Sequence, residues 1–509
     1  MNRNKAVWLF TLCVSVLMMG SVCRINKKGM DRPRPNIVIF YADDIGYGDV
    51  GCYGAKGVET PNIDALAENG IRFTDAHSSA ATCTPSRYSL LTGRYAFRKK
   101  ARVLSGKAPL IISADTQTLP AMLQKAGYKT SVIGKWHLGL GEGTIDWNGF
   151  ISPGPLEIGF DFCFIIPATG DRVPCVFVED HYVVNADPED PISVSYDEPI
   201  GDRPTGRSHP ELLKMKPSDT YHDRTIVNGV SRLGYMAGGE KALWVDEDFP
   251  FLLTQKAKDF IEANKAQPFF LFYSFHDIHV PRVIHPQFQG RSQMGPRGDA
   301  IAQVDWCVGE IIEMLKQHNH LENTLVIFTS DNGPVLDDGY EDQAVELLGD
   351  HKPAGPLRGG KYSAFEAGTR VPFITYWNGV IQPAVSDSLM GQIDLLSSIA
   401  ALTNQELEPG ATLDSQSFMD TLLGKSTKGR EYLLEESQTF SLRFKNWKYI
   451  QPHEYLPWLE RVAIEGGYQL EPQLYDLSTD IGEQNNLAKE HPEILQKLSD
   501  KLNGILSER

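Results

Sequence analysis

Pro35-Asn36-Ile37-Val38-Ile39-Phe40-Tyr41-Ala42 is an unbroken run of mostly apolar and β-branched residues that stops at Asp43-Asp44. So short a run, with no polar alternation, fits a strand buried on both faces. The pattern recurs three times. Residues 128–134 lead into Lys135-Trp136-His137-Leu138-Gly139. Phe269-Phe270-Leu271-Phe272-Tyr273-Ser274-Phe275 leads into His276-Asp277-Ile278-His279-Val280-Pro281. Residues 324–329 lead into Ser330-Asp331-Asn332-Gly333-Pro334. Helical patterns over 60–70, 119–127, 251–265 and 299–318 separate these runs. Strands alternating with helices predict an α/β fold: a large, mostly parallel sheet with helices on both faces.

Further along, 371–377 reads as another strand and 393–402 as a helix that closes the large domain. Residues 150–250, rich in Pro, Gly and Asp, read as long insertions above the sheet. After about residue 415 the grammar changes. Residues 432–435, 441–450 and 473–477 read as antiparallel strands, and 492–506 as a last helix. The expected organisation is therefore an α/β domain over 33–414 and a smaller α+β subdomain over 415–509.

Ligand sites in open α/β sheets lie beyond the carboxyl ends of the strands. Asp43/Asp44, Lys135/His137, His276/His279 and Asp331/Asn332 all share that address. Asp-Asp and Asp-Asn-Gly are also good turn formers, but four such clusters at the ends of one sheet point to a shared site. Asp43, Asp44, Asp331 and Asn332 offer only oxygen donors, which suit Ca²⁺ or Mg²⁺ rather than zinc.

The stretch Cys83-Thr84-Pro85-Ser86-Arg87, followed by Thr92-Gly93-Arg94, reads as the start of a helix with Pro in its first turn. Cys83 at the N-terminus would feel the helix dipole, and Arg87, one turn on, would reach back over it. That is the setting of a thiol poised for ionisation. A buried structural thiol is the alternative. Seven cysteines, two of them in or beside residues 1–23, are too few and scattered for a disulfide scaffold.

Cys-x-Pro-Ser-Arg with Thr-Gly-Arg resembles the signature of the type I, formylglycine-dependent sulfatases, arylsulfatase-like members of the alkaline phosphatase superfamily. Other stretches extend the resemblance over roughly 33–490. Asp43-Asp44-Ile45-Gly46-Tyr47-Gly48-Asp49, Gly134-Lys135-Trp136-His137, His279-Val280-Pro281 and Thr329-Ser330-Asp331-Asn332-Gly333 are similar to family motifs. So are Arg358-Gly359-Gly360-Lys361 with Glu366-Ala367-Gly368, and Leu474-Tyr475-Asp476-Leu477. Ala367 stands where the family often has Gly.

The resemblance implies an exported enzyme that hydrolyses sulfate esters with a divalent cation, Ca²⁺ or alternatively Mg²⁺. Cys83 would be oxidised by a maturation enzyme to formylglycine, whose hydrate is the nucleophile. Asp43, Asp44, Asp331 and Asn332, with residue 83, would hold the cation. Arg87 would support the aldehyde, His137 would hold the hydrate, and Lys135 and Lys361 would bind the sulfate. His279 would protonate the leaving oxygen, as departure of an alkoxide requires. Two roles are open to His276, sharing that acid role or hydrogen-bonding the loop, and the second is expected. Thr169 falls where relatives place a small hydroxyl residue near the sulfate.

Specificity should come from the long loops. Arg172, with Asp171, the nearby His181 and Arg282 are candidate substrate-binding residues, as is the charged run 337–342. Such a mixture suits sugar hydroxyls, which need donors and acceptors. The wider grouping resembles bacterial carbohydrate sulfatases that degrade glycans, with galactose or N-acetylgalactosamine sulfates favoured. A phosphodiesterase or phosphonate monoester hydrolase of the same superfamily is one alternative. A sulfated-glycan binding protein with an unmodified Cys83 is another.

The net charge of −16 excludes a nucleic-acid partner, which needs a basic stripe, but leaves room for a local anion site. Residues 1–23 read as an export signal: Arg3 and Lys5, then an apolar run too short to span a bilayer comfortably. Met19-Gly20-Ser21-Val22-Cys23 loosely resembles a lipobox, so a lipid anchor is an option, although Val22 departs from the pattern. The expected location is the periplasm or the outer membrane in a bacterium, and otherwise outside the cell. No transmembrane span is expected.

Overall fold

The computed structural model describes residues 34–508, so the expected export signal and Cys23 lie outside the described residues. The core is a ten-stranded sheet. In chain order its strands are β1 (Asn36–Ala42), β2 (Ile71–Phe73), β3 (Lys129–Lys135), β4 (Phe162–Ile166), β5 (Val178–Glu179), β6 (Tyr182–Val183), β7 (Phe269–Ser274), β8 (Thr324–Ser330), β9 (Phe373–Tyr376) and β10 (Ala384–Ser386). Their spatial order is β10-β2-β9-β8-β1-β7-β3-β4-β5-β6.

The five central strands, β8-β1-β7-β3-β4, are parallel. Antiparallel pairs flank them on both sides, so the sheet is mixed rather than simply parallel. The strand at 371–377 exists but runs against its neighbour. The reading of 150–250 as insertions missed β4, a full parallel member of the sheet within a Pro- and Gly-rich region.

Every residue of β1 is buried, as are all of β7 and β8. Each buried Ile, Val or Phe there contributes about 1.5–3 kcal/mol. Such burial requires cover on both faces. Helices Pro61–Glu68, Phe249–Ala263 and Gly295–Gln317 pack on one another in one group, and Cys83–Thr92, Leu119–Lys125 and Leu395–Thr403 in another.

The register of the central strands fixes where their carboxyl ends lie. Ala42 pairs with Ser330, Tyr41 with Ser274, and Ser274 with Gly134, so four strands end at one level. The segments after them therefore emerge side by side. Gly134 is required at this edge: its φ is +104°, and an added Cβ would lie 1.9 Å from the Ser274 carbonyl oxygen.

The smaller C-terminal region is a four-stranded antiparallel sheet, Tyr432–Glu436, Phe440–Phe444, Trp447–Ile450 and Gln473–Asp476, covered by helix Pro492–Ser507. The single strand expected over 441–450 is two, divided by a turn in which Lys445 has φ +52°. Leu498 and Leu502 of the helix pack against Leu434, Leu442, Tyr449 and Leu474.

A buried ionic seam joins this sheet to the larger one. Arg443 bridges Glu366 (2.8 Å) and Asp75 (3.0 Å), Lys448 reaches Glu435 (2.8 Å) and Glu366 (3.1 Å), and His77 lies 2.9 Å from both Asp75 and Glu435. No helix among the described residues is long and apolar enough to cross a membrane.

Candidate active site

The four strand ends deliver their polar residues to one place. Asp43 and Asp44 follow β1, Asp331 and Asn332 follow β8, Lys135 ends β3 and His279 follows β7. Three of these segments turn through the left-handed region on ordinary residues: Asp44 (φ +59°), His137 (φ +58°) and Ile278 (φ +69°). Each such residue costs about 1–2 kcal/mol. For a β-branched residue such as Ile278 the conformation is unusual, and strain of this kind gathers at functional sites.

Cys83 begins a ten-residue helix, Cys83–Thr92, every residue of which is buried. Its Sγ lies 3.9 Å from Asp43 Oδ1. Arg87, one turn along, donates to Asp331 at 2.8 and 3.0 Å and to the Lys135 carbonyl. The Lys135 ammonium is 2.5 Å from Asp43, and that of Lys361 is 2.9 Å from Asp44 and 3.0 Å from Asp338. Asn332 Nδ2 donates to Asp44 at 2.7 Å.

The thiol does not behave as its helix position suggests. Burial pushes the Cys83 pKa up to about 12, with Asp331 and Asp43 adding to the effect against Lys135 and Lys361. At neutral pH the group is a protonated thiol. The dipole of one helix is too weak to offset desolvation beside two carboxylates.

The donor set fits a hard divalent cation. Asp43, Asp44, Asp331 and Cys83 each offer an atom within 4.8 Å of the others. Asn332 Oδ1 is buried with no hydrogen-bond partner, a costly arrangement unless something is coordinated there. Burial drives the Asp43 carboxyl well above the usual carboxylate range even with Lys135 beside it, which marks a place short of positive charge. Asp331 is held below its usual range: burial opposes ionisation, but Arg87, Lys135 and Lys361 prevail.

Above this cluster opens a cavity of about 380 Å³ whose wall includes Cys83, His137, His279 and Lys361. Both histidines are kept neutral. Burial, then Lys135 and Arg172, press His137 well below its usual range, and burial, then Lys361 and Lys135, do the same to His279. His137 Nε2 donates to the Leu104 carbonyl at 2.9 Å, leaving Nδ1 buried without a partner. His279 Nδ1 donates to the Val280 carbonyl at 2.7 Å. His276 Nε2 accepts from Gly170 N–H at 2.7 Å, so it braces that loop.

The substrate-binding candidates divide. Arg172 is on the cavity wall, paired with Asp171 at 2.9 Å and with the Thr169 hydroxyl. Thr169 is buried behind it. His181 does not reach the cavity: it bonds Glu157 at 2.8 Å and stacks on Phe150 at the sheet edge. Arg282 is near His279 in sequence, but its guanidinium is committed to Asp342 (2.6 Å) and the carbonyls of Ile278, Val335 and Leu336. It clamps loops together and has little left for a ligand.

Four other wall residues escaped the sequence reading or were only brushed by it. His222 sits between Asp219 (2.8 Å) and Asp171 (3.5 Å). Against the effect of burial, these two carboxylates raise its pKa to about 9. Arg461 reaches Asp338 at 3.0 Å from the C-terminal region, and Tyr362 follows Lys361 on the same wall. Only Asp338 lay in a stretch that its charge had marked.

The chain is similar to known proteins along nearly its whole described length. Residues 35–405 match the Sulfatase family model. An N-acetylgalactosamine-6-O-sulfatase of Bacteroides thetaiotaomicron is 50% identical over 495 residues, covering 96% of each chain. Human arylsulfatase A is 33% identical, covering 91% of this chain and 86% of its own. A solved structure from work on glycosaminoglycan metabolism by Bacteroides thetaiotaomicron superposes with a TM-score of 0.92 at 50% identity, over 93% of this chain and 100% of the other. The chain belongs to the sulfatase family, whose members hydrolyse sulfate esters.

Proposed function

We propose that this protein removes the 6-sulfate of N-acetylgalactosamine or galactose residues in sulfated glycans, using residue 83 as the nucleophile. The observation that supports it most is the enclosure of Cys83, His137, His279 and Lys361 in one cavity directly over the carboxylate cluster. The choice of sugar and position rests on the 50% identical N-acetylgalactosamine-6-O-sulfatase, matched over nearly its whole length.

A thiol raised to about 12 is a poor nucleophile at neutral pH. Conversion of Cys83 to formylglycine supplies, once hydrated, a hydroxyl in its place. Asp43, Asp44, Asp331, Asn332 and residue 83 would hold a divalent cation, which would supply Lewis-acid polarisation at that point. Ca²⁺ suits the mainly oxygen donor set, with Mg²⁺ the alternative.

The remaining steps belong to the chain's own side chains. His137 Nδ1 is the free acceptor for a hydroxyl proton at position 83. Lys135 and Lys361 stabilise negative charge on the sulfate oxygens. Arg87 fixes Asp331 and the end of β3. His279 gives a proton to the leaving oxygen. It is neutral in the free site because it is buried and because Lys361 and Lys135 face it. An arriving sulfate offsets that field and lets the imidazole take up the proton it must deliver. Asp171 and His222, a paired acceptor and donor on the wall, suit the hydroxyls of a sugar ring.

A panel of galactose, N-acetylgalactosamine and glucosamine sulfates, read by released sulfate, tests the assignment. Turnover of N-acetylgalactosamine 6-sulfate is expected, and activity confined to glucosamine sulfates would refute it.

A further inference from the structure

Beside the catalytic cavity lies a larger groove of about 800 Å³ that shares Val103, Arg172, Tyr362 and Arg461 with it. A glycan whose sulfated sugar fills the smaller cavity has to leave through a shared mouth, and this groove is continuous with it. The character of the groove is unusual for a chain of net charge −16. Lys100 and Arg102 are exposed on its wall, and neither side chain makes an ion pair or hydrogen bond among the described residues.

The one acid on that wall is Glu436. It is buried, accepts from the Ala96 N–H at 2.9 Å, and burial lifts its pKa to about 8, so it adds little negative charge at neutral pH. Phe97 and Phe440, edge-to-face at 5.4 Å, give the floor an apolar patch of the kind that packs on the C–H face of a sugar. The basic loop is also fixed relative to the reaction centre. Leu104 N–H donates to the Thr84 hydroxyl at 3.3 Å, and the Leu104 carbonyl takes the hydrogen bond of His137.

We propose that this groove holds the sugar next to the one bearing the scissile sulfate, and that Lys100 and Arg102 select a neighbour carrying a carboxylate or a second sulfate. The inference rests on the glycan-sulfatase reading and adds to it the charge of the adjoining residue. Unpaired cations at a screened surface favour an anionic partner by a modest, salt-dependent factor.

Hydrolysis of an aryl sulfate serves as the reporter, with inhibition measured for two disaccharides, unsulfated on the cavity-side sugar, that differ only in whether the groove-side sugar is a uronic acid or a neutral hexose. The acidic disaccharide should inhibit about fivefold more tightly, and a sulfated hexose in place of the uronic acid should do as well. The advantage should fade at high salt. In Lys100→Ala/Arg102→Ala it should vanish while turnover of the aryl sulfate is unchanged. Equal inhibition by acidic and neutral disaccharides in the native enzyme, or an acidic preference that survives the double substitution, would overturn the proposal. Turnover of N-acetylgalactosamine 6-sulfate itself is measured in parallel; its failure would strike the sugar assignment and leave the inhibition result to judge the groove.

Discussion

Two of the clusters of buried charge among the described residues make an instructive pair. One, at the strand ends, gathers Asp43, Asp44 and Asp331 with Arg87, Lys135 and Lys361. The other, at the seam between the sheets, gathers Asp75, Glu366 and Glu435 with His77, Arg443 and Lys448. Both contain carboxylates close enough to suggest a metal. At the seam the ligand-like atoms already face protein cations: His77 has a carboxylate 2.9 Å from each ring nitrogen, and Glu366 has Arg443 on one oxygen and Lys448 on the other. At the strand ends a cavity opens over the cluster, and Asn332 Oδ1 and His137 Nδ1 stay buried and unpartnered. Buried charge alone therefore does not mark a site. Unmet valence beside open space does.

Substitutions can break that contrast. The largest effect is expected from Cys83→Ala, which should lower kcat about 10⁵-fold or more in a chain that still folds; retained turnover would mean that residue 83 is not the nucleophile. His279→Ala should cost about 10²–10⁴ in kcat on a sugar sulfate and much less on an activated aryl sulfate. The leaving-group dependence is the diagnostic, because a merely misfolded site would lose both alike.

Arg443→Met addresses the other cluster. Leaving Glu366 and Asp75 short of a partner should destabilise the fold by about 3–5 kcal/mol in denaturant titrations, with kcat per folded molecule near the native value. Loss of kcat at full folding would show that the seam takes part in catalysis.

Added Ca²⁺ should sharpen the comparison. At about a hundred times its dissociation constant it should stabilise the native protein by about 2.7 kcal/mol. It should do the same for Arg443→Met, and distinctly less for Asn332→Ala. The smallest effect concerns His222, whose folded-state pKa of about 9 lies above the unfolded value. Its contribution is complete below about pH 6.5 and is lost as the pH rises through 9. The stability gap between native protein and His222→Gln should therefore be widest in mild acid and close above pH 9.

The parts of the molecule that were legible in the sequence are those coded locally. The strand β1 and the acids behind it lie in one peptide, as do β8 with Asp331-Asn332 and β3 with Lys135 and His137. Parallel pairing then does the assembly, because it brings peptides hundreds of residues apart to one level. His222 and Arg461 were not legible, for they arrive on long connections whose local composition is that of any surface loop. The strand β4 was hidden for a similar reason: Phe162–Ile166 is short and sits among turn formers. Arg282 misled in the opposite way. Its sequence neighbour His279 lines the cavity, yet four hydrogen bonds draw the guanidinium into the scaffold.

The position of residue 83 has a consequence for how the protein must be made. Its side chain is 2% exposed, at the head of a helix whose every residue is buried. The folded molecule keeps that side chain and the whole of its helix out of reach of another protein. If residue 83 is converted as proposed, the conversion is expected before the chain closes over it, so the order of folding and conversion would decide what fraction of the protein is active.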